Sequence, residues 1–228
     1  MTLIPNINQL KQLVAHLQSV IFPDYFPAVA APAELCLPDA FWDEVPSIAR
    51  LVNSDVDAVL HNDPAVTDRG EVILSYPLTY EMIHYRAAHV LYLLHVPRIP
   101  RMLTELAHAR TGIDIHPAAQ IGDHFCIDHG TGVVIGETAI IGSHVVLYQG
   151  VTLGAKNFEY DENGKPMDVP RHPILEDNVT VYSNTSILGR VTIGHDTVIG
   201  GNVWLTQDVP ANSIVLQSNP EIRIKNKI

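Results

Sequence analysis

The second half of the chain repeats with a period of six residues, and this repeat constrains the fold more than any other feature of the sequence. Small or aliphatic residues recur at this interval in two series: Ile115, Ile121, Ile127, Val133, Ala139, Val145 and Val151, then Val179, Thr185, Val191, Thr197, Val203 and Val209. Six residues suffice for one short strand and one turn, so three units close a triangular coil whose inward side chains stack on those of the next coil. The repeat predicts a parallel β-helix over residues 112–217.

The first half has the period of α-helices instead, with apolar residues three and four apart. Four segments have this pattern: 8–21, 41–60, 77–95 and 98–110. Pro46 must lie at the start or at a break of the second segment, and Pro77 suits the first turn of the third. We therefore predict an α+β protein with an α-helical N-terminal domain (1–111), the β-helix and a short C-terminal tail (218–228).

Composition and net charge limit which binding partners and which cellular compartment are expected for this protein. The net charge of −11 over 228 residues argues against a nucleic-acid partner, because binding phosphates needs a basic face. The two cysteines, Cys36 and Cys126, are expected to be reduced. The sequence has no basic N-terminal region followed by an apolar one, and no apolar run near the roughly 20 residues that span a bilayer. We expect a cytoplasmic protein with no membrane partner.

The repeat is interrupted by 16 polar, turn-rich residues at 155–170. A solenoid extrudes such an insertion as a loop on one face, often the face that binds a ligand. A tolerated surface insertion is the alternative interpretation.

Polar residues concentrate in the first repeats, where a purely structural solenoid would not need them. Asp114 and His129 are 15 residues apart, nearly one 18-residue coil, which predicts that they lie close on adjacent coils. A carboxylate beside an imidazole fixes its tautomer, and such a histidine can act as a general base on an alcohol. Gly130 and Gly132 allow a ligand to approach the backbone. With 12 histidines in the chain, an ordinary surface role for His129 stays open.

Seven segments together carry a family resemblance: Asp63–Val66, Tyr85–His89, Asp114–Ala119, Asp128–Gly132, Val134–Ala139, Gln149–Gly154 and Arg171–Pro173. In these segments the chain resembles the serine acetyltransferases, which are hexapeptide-repeat acyltransferases with a left-handed parallel β-helix. The resemblance extends over most of residues 63–209. The left hand is implied by the resemblance alone, since the general rule for parallel crossovers favours the opposite hand.

The resemblance implies transfer of an acetyl group from acetyl-CoA to the hydroxyl of L-serine, the first step of cysteine biosynthesis from serine. His129 would be the general base, oriented by Asp114, and the serine oxygen would attack the thioester directly. The substrate-binding residues implied are Asp63 and Asp128 for the ammonium group, and Arg171 with His172 for the carboxylate.

The resemblance also implies the ligands and the assembly. Acetyl-CoA would be a cosubstrate contacted by Gly154, Ala155 and Lys156, with no permanently bound cofactor and no metal site. L-Cysteine would act as feedback inhibitor. The chain would form a homotrimer or a hexamer (a dimer of trimers) with the site between neighbouring subunits. Ile228 would dock into O-acetylserine sulfhydrylase, although the tail here is short.

Three other functions compete with this interpretation. A hexapeptide acetyltransferase with a sugar or antibiotic as acceptor would also use a histidine base. A γ-class carbonic anhydrase would bind zinc through His124 and His129, which are five residues apart, with His89 as the third ligand. A non-enzymatic solenoid would only bind partners, but unpaired charge within the repeats would then be costly.

Structural roles compete at individual residues as well. Asp63 precedes a proline and could be only a turn or cap residue, and Arg171 could pair with Glu176 or Asp177 at the surface. Structural roles are predicted for four further residues: Tyr85, Arg86, His89 and His116.

Overall fold

A computed structural model describes residues 5–218 and places a helical part before a parallel β-helix. The helices in chain order are α1 (Ile7–Ile21), α2 (Asp39–Asp43), α3 (Val45–Asn62), α4 (Arg69–Ser75), α5 (Pro77–Leu93) and α6 (Ile99–Thr111), with a 3₁₀ turn at Ala33–Leu35. The predicted succession of helices and β-helix is confirmed.

Proline and capping residues account for several helix boundaries. Pro46 lies in the first turn of α3 and separates it from α2, and Pro77 is the first residue of α5. Asp68 caps α4 by accepting a hydrogen bond from the backbone N–H of Glu71. The sequence pattern missed α4 because seven residues are too few to establish a helical period.

Within residues 5–218, fourteen short strands form three parallel sheets, one on each side of the triangular coil. Sheet A contains β1 (Asp114–Ile115), β4 (Val134–Ile135), β7 (Thr152–Gly154), β10 (Ser186–Leu188) and β13 (Trp204–Leu205). Sheet B contains β2 (Gln120–Ile121), β5 (Ile140–Ile141), β8 (Ile174–Leu175) and β11 (Thr192–Ile193). Sheet C contains β3 (Cys126–Asp128), β6 (Val146–Tyr148), β9 (Thr180–Val181), β12 (Val198–Ile199) and β14 (Ile214–Val215).

The first coil contains more residues than the eighteen that three repeats of six would give. Ile127 pairs with Leu147, twenty residues later, whereas Ile135 pairs with Leu153 after eighteen. The two additional residues lie between Ile127 and Ile135, in the turn from sheet C to sheet A.

The residues that point into the coil form two kinds of ladder rather than one. Ile127 stacks with Leu147, whereas Val133 belongs to the other ladder, two residues before Ile135. The continuous six-residue series of the sequence analysis was therefore wrong at Val133, because it passed from one ladder to the other across the longer turn. It was wrong again at Val209, which pairs with Ile193 after only sixteen residues and so lies on the ladder of Ile141 and Leu175. Both ladders are buried throughout the middle coils, so the packing itself is as predicted.

The insertion at 155–170 leaves the coil after β7 and returns before β8. Its only strand-like feature is an isolated antiparallel bridge between Tyr160 and Pro166, and Phe158 and Tyr160 are more than half exposed. The insertion is therefore an extruded loop, as predicted.

Helix α5 joins the helical part to the first coil through buried polar groups. The Tyr85 hydroxyl donates to the Ala119 carbonyl at 2.6 Å, and His89 Nδ1 lies 2.8 Å from the Pro117 carbonyl oxygen. The Arg86 guanidinium donates to the carbonyls of the next turn and pairs at 3.0 Å with the Asp55 carboxylate of α3. These contacts support the structural roles that were predicted for the α5 residues.

One hydrophobic core is continuous between the helices and the coils. The division into separate domains at residue 111 therefore stays a prediction. In the part of the chain that the structure describes, no helix is both long and apolar enough to cross a membrane. The predicted tail contact through Ile228 lies outside the described residues.

The buried pair of Asp55 and Arg86 gives a stability prediction. Asp55 also accepts the backbone N–H of Phe125, and although burial raises its pKa to about 6, Arg86 keeps the carboxylate ionised at neutral pH. Asp55→Ala leaves a buried guanidinium without its counter-ion and should lower the free energy of unfolding by about 3–5 kcal/mol.

Asp57→Ala is the matched control on the same helix, because Asp57 is half exposed and pairs with Arg69 at the surface. It should cost less than about 1 kcal/mol when the unfolding of both variants is measured by urea titration. Equal losses for the two variants would contradict the role of the buried pair.

Candidate functional site

His129 lies in the longer turn of the first coil, between β3 and β4. Its backbone has a φ of 59°, and Gly130 and Gly132 follow with φ of 85° and 82°, so the turn is built largely from left-handed residues. A Cβ on Gly130 would come within 2.5 Å of an Ile113 side-chain carbon, so this position needs glycine. The His129 side chain is 73% exposed. The additional residues thus project an accessible imidazole from an otherwise regular coil.

Two carboxylates lie beside this imidazole. His129 Nε2 is 3.8 Å from Asp128 Oδ1, and Asp63 is the second carboxylate of this group. Asp63 and Asp128 both line one small hollow between the end of α3 and the strands β3 and β6, with Tyr76 and Tyr148 also in its wall. The structure therefore brings together Asp63, Asp128 and His129, which the sequence placed in one site.

Tyr76 is a residue of this site that sequence reasoning missed. Its hydroxyl donates to Asp63 Oδ2 at 2.6 Å, while Asp63 Oδ1 accepts the backbone N–H of Ala65. The bond from Tyr76, and then that from Ala65, lower the pKa of the Asp63 carboxyl. Asp63 does terminate α3, as the structural alternative held, yet the same carboxylate faces the hollow and is held as an anion.

Asp114 is near the His129 turn along the backbone, but its side chain has another partner. The Gly132 N–H donates to the Gly112 carbonyl at 2.8 Å, which aligns the segments that carry the two residues. The Asp114 carboxylate lies 3.4 Å from the Arg101 guanidinium of α6. Within the described residues it forms no hydrogen bond or ion pair with His129, so the predicted pair is not formed in this arrangement.

Arg171 lies at a different corner of the coil, between sheets A and B. Its guanidinium pairs with Glu137 and lies 3.9 Å from Asp168. The suggested surface pairing with Glu176 or Asp177 was therefore wrong, because these residues belong to the next corner of the coil, between sheets B and C. The Arg171 side chain is only 20% exposed.

His172 is buried beside Arg171 and is held by Thr138. Its Nδ1 accepts the Thr138 backbone N–H at 3.1 Å, so the ring proton is assigned to Nε2. Burial, and then the Arg171 guanidinium, lower the pKa of His172 to about 4. The imidazole is therefore neutral at pH 7. His116 lies near this group and accepts the N–H of Ala118, consistent with a structural role.

Gly154 is the last residue of β7 in sheet A, and Ala155 and Lys156 follow it at this second corner, where the extruded loop begins. The Gly154 carbonyl accepts the N–H of Gly189 at 3.0 Å, and a Cβ on Gly154 would meet a Leu188 methyl at 2.9 Å. Lys156 is exposed. These three residues therefore share a corner with Arg171 and His172.

The predicted site residues thus form two groups on one chain. Asp63, Asp128 and His129 lie at the turn from sheet C to sheet A, whereas Arg171 and His172 lie where the chain passes from sheet A to sheet B. The width of sheet A separates these corners, so one copy of the chain does not unite the two groups.

The zinc site of the carbonic anhydrase alternative is not formed within one copy of the chain. His89 bonds to the corner after β1, His124 lies at the corner after β2, and His129 lies at the corner after β3. Three histidines at three different corners of one copy cannot ligate one zinc ion within that copy, because the ligand nitrogens lie about 2.0–2.1 Å from the metal. Among residues 5–218, these three do not form a cluster of metal-ligand spacing.

Comparison with known proteins identifies close relatives of this chain. Residues 172–207 match the family model described as bacterial transferase hexapeptide (six repeats). The chain is 47% identical over 205 residues to a plasmid serine acetyltransferase of Synechococcus elongatus, an alignment that covers 90% of this chain and 64% of that protein. It is 40% identical to a serine acetyltransferase of Helicobacter pylori, covering 75% of this chain and 96% of the relative.

Solved structures give the same relationship. Serine acetyltransferase isoform 3 of Entamoeba histolytica, solved in complex with cysteine, has a TM-score of 0.82 and 33% identity, covering 95% of this chain and 84% of that one. A Neisseria gonorrhoeae serine acetyltransferase in complex with serine has a TM-score of 0.73 and 30% identity, covering 92% and 82% of the two chains. The chain spans about 64% of the length of the Synechococcus relative, so whole-protein properties of that relative do not transfer directly.

The environment of His172 gives a prediction for pH titration. Because its folded-state pKa of about 4 is below the ordinary 6.5, the unfolded chain binds the proton first, and His172 lowers stability as the pH falls from 6.5 towards 4. The His172 ring signals in NMR should stay those of a neutral imidazole from pH 8 to about 5.

The control in the same titration is exposed His195, whose pKa is raised above 6.5 by the Asp196 carboxylate. Its signals should shift with a midpoint above that value. A His172 midpoint near 6.5 would contradict the buried, neutral assignment.

Proposed function

Since this chain belongs to the serine acetyltransferase family, we propose that it transfers the acetyl group of acetyl-CoA to the hydroxyl of L-serine, giving O-acetylserine and coenzyme A. This reaction begins the synthesis of cysteine from serine. One observation carries the proposal beyond family membership. The two residues added to the first coil present an exposed imidazole, His129, beside the carboxylates of Asp63 and Asp128.

His129 is the proposed general base. Many other histidines of the described chain have ring nitrogens engaged in local bonds, such as His84 with Tyr80 and His172 with Thr138. His129 is exposed instead, so it can accept the hydroxyl proton of an incoming alcohol. The serine oxygen then bonds to the acetyl carbon, the carbon–sulfur bond breaks, and the proton passes from the imidazole to the sulfur of coenzyme A.

Asp114 is proposed to orient this base. The Gly132–Gly112 hydrogen bond supports the assignment because it aligns the segment of Asp114 with the His129 turn. The role requires a side-chain rotation, since Asp114 now faces Arg101 at 3.4 Å. A carboxylate on the second imidazole nitrogen would fix the tautomer and stabilise the imidazolium that forms.

The acceptor is proposed to be a zwitterion because anionic and cationic groups are both available. Asp63 and Asp128 suit a single ammonium group, and Tyr76 holds Asp63 in place through its hydroxyl. Arg171 suits a carboxylate. Glu137 and the Val169 carbonyl engage some of the five N–H donors of the Arg171 guanidinium and thereby position it. The neutral His172 imidazole adds a further N–H donor at Nε2.

A neighbouring copy of the chain is proposed to complete the site. The support is the separation of the two groups by sheet A, since one substrate of serine size cannot span two corners of a coil. A cyclic trimer repeats one interface between two different surfaces of the chain, so it could bring the His129 corner of one copy to the Arg171 corner of the next, and two trimers could join into a hexamer.

The remaining ligands follow from this arrangement. Acetyl-CoA is proposed to reach the site along Gly154, Ala155 and Lys156, where exposed Lys156 offers a cation to its phosphates in a chain of net charge −11. L-Cysteine is the proposed inhibitor, because it differs from serine only by sulfur for oxygen and relatives have been solved with it bound. The O-acetylserine sulfhydrylase partnership through Ile228 stays a hypothesis from the sequence.

The direct test is thiol release from acetyl-CoA with L-serine or with sugar hydroxyls as acceptors. Serine should support release, and His129→Ala should reduce kcat by about a hundredfold or more, as expected for loss of a general base. Arg171→Ala should mainly raise the KM for serine.

Two matched controls separate chemistry from folding. His195→Ala removes an exposed histidine at another corner, and Arg69→Ala removes a surface arginine that pairs with Asp57. Both should retain nearly full activity. Release with a sugar and not with serine, or an unchanged KM in Arg171→Ala, would contradict the acceptor assignment.

A further inference from the structure

A second cluster of imidazoles and carboxylate lies away from the proposed acetyl-transfer site. Asp123 and His124 form the turn from sheet B to sheet C in the first coil, and His144 occupies the matching turn of the second coil. The His144 N–H donates to the Asp123 carbonyl at 3.1 Å, which fixes one turn above the other. No step of the proposed reaction uses these residues.

The three side chains converge. The rings of His124 and His144 are stacked with centroids 4.4 Å apart and an angle of 18° between their planes. Asp123 Oδ1 is 3.3 Å from His124 Nδ1. One potential ligand atom from each residue lies within 4.8 Å of the other two. His144 is exposed, and the His124 and Asp123 side chains are each 37% exposed, so an ion in solution can reach them.

The backbone conformation of these two turns does not account for the presence of a histidine in each. His124 and His144 adopt left-handed backbone angles, with φ of 51° and 57°. The matching corner positions of the later coils are occupied by Asn178, Asp196 and Asn212, with φ from 57° to 60°. Asparagine and aspartate are the non-glycine residues that adopt this conformation most readily, so the backbone alone would favour them.

One ring nitrogen of the cluster also lacks a hydrogen bond. His124 Nδ1 is shielded from solvent and has no hydrogen-bond partner, because its contact with Asp123 does not have hydrogen-bond geometry. The Asp123 side chain is a carboxylate, which is an anion at neutral pH. The cluster thus offers one anionic oxygen and two imidazoles that the fold leaves available.

We propose that Asp123, His124 and His144 bind a divalent transition-metal ion, for which zinc is the test ion. Two imidazole nitrogens and one carboxylate oxygen are a common donor set for such ions, with water at the remaining position. The lone pairs of stacked rings run nearly parallel, so binding requires both imidazoles to rotate until their nitrogens converge on the ion.

A second group of two carboxylates and one histidine lies near helix α6, but a cationic side chain already pairs with it. Glu105, His108 and Asp114 also have ligand atoms within 4.8 Å of one another. The Arg101 guanidinium pairs with Glu105 at 2.5 Å and with Asp114 at 3.4 Å, so a cation already occupies the space between these carboxylates. Of these two clusters in the described chain, the one formed by Asp123, His124 and His144 has no arginine or lysine paired with its carboxylate.

An ion at this corner would stabilise the junction with the helices. The His124 backbone N–H donates to the Ser54 hydroxyl of α3 at 3.1 Å, and the next residue, Phe125, donates to Asp55. A ligand that binds only the folded chain raises its stability by mass action. Zinc should therefore raise Tm, and the gain should depend on the histidines of both coils.

The test is calorimetric titration of the untagged, chelator-stripped full chain with zinc chloride, together with Tm measured with and without zinc. The wild type should bind one zinc ion per chain, and its Tm should be higher with zinc than without it. His144→Asn and the double variant His124→Asn/His144→Asn should lose at least about tenfold in affinity, since even loss of a second-shell partner costs that much at metal sites. Asparagine is the substitute because Asn178 and Asn212 adopt the same turn.

His195→Ala and His108→Ala are the matched controls and should bind zinc as the wild type does. Single variant His144→Asn keeps the test decisive if the double variant does not fold, because His144 is exposed and its Tm in chelator can be compared with that of the wild type. Absence of stoichiometric zinc binding by the wild type, or unchanged affinity in folded His144→Asn, would overturn the proposal.

Discussion

The stacking of inward aliphatic side chains from coil to coil is the interaction on which the rest of the structure depends. Each strand is only two or three residues long and gains its partners from the coils above and below. A residue added within a strand would turn the ladder residues outward, so additions are tolerated only at the corners. Both insertions of this chain obey that limit. The two-residue addition carries His129, and Arg171 directly follows the 16-residue loop.

The helical part contributes to the site as well as to stability. Helix α3 is fixed to the first coil by Asp55, which accepts from Arg86 and from the Phe125 backbone. The same helix ends at Asp63, so the contacts that dock it also set the distance between Asp63 and the His129 turn. Tyr76, which follows α4, then fixes the Asp63 carboxylate by a 2.6 Å hydrogen bond.

Much of this architecture was predictable because a six-residue repeat and helical periods are local patterns. The spacing error at Val133 arose because period counting cannot distinguish a longer turn from a change of ladder. The same error hid the stacking of His124 on His144, which are separated by one 20-residue coil rather than by 18 residues. The partners of Tyr76, Arg101 and Glu137 depend on tertiary contacts between distant segments, and no local pattern encodes them. The separation of Arg171 from His129 likewise follows from which corner each residue occupies.

In the proposed divided site, His129 of one chain acts together with Arg171 of a neighbouring chain. Co-expression of His129→Ala chains with Arg171→Ala chains tests it most directly, with serine kept well below its KM so that both variants are nearly inactive alone. Random assembly in equal amounts should restore about a quarter of the wild-type sites, since such a site takes His129 from one variant and Arg171 from the other. Mixed assemblies that are no more active than the two variants measured separately would contradict the divided site.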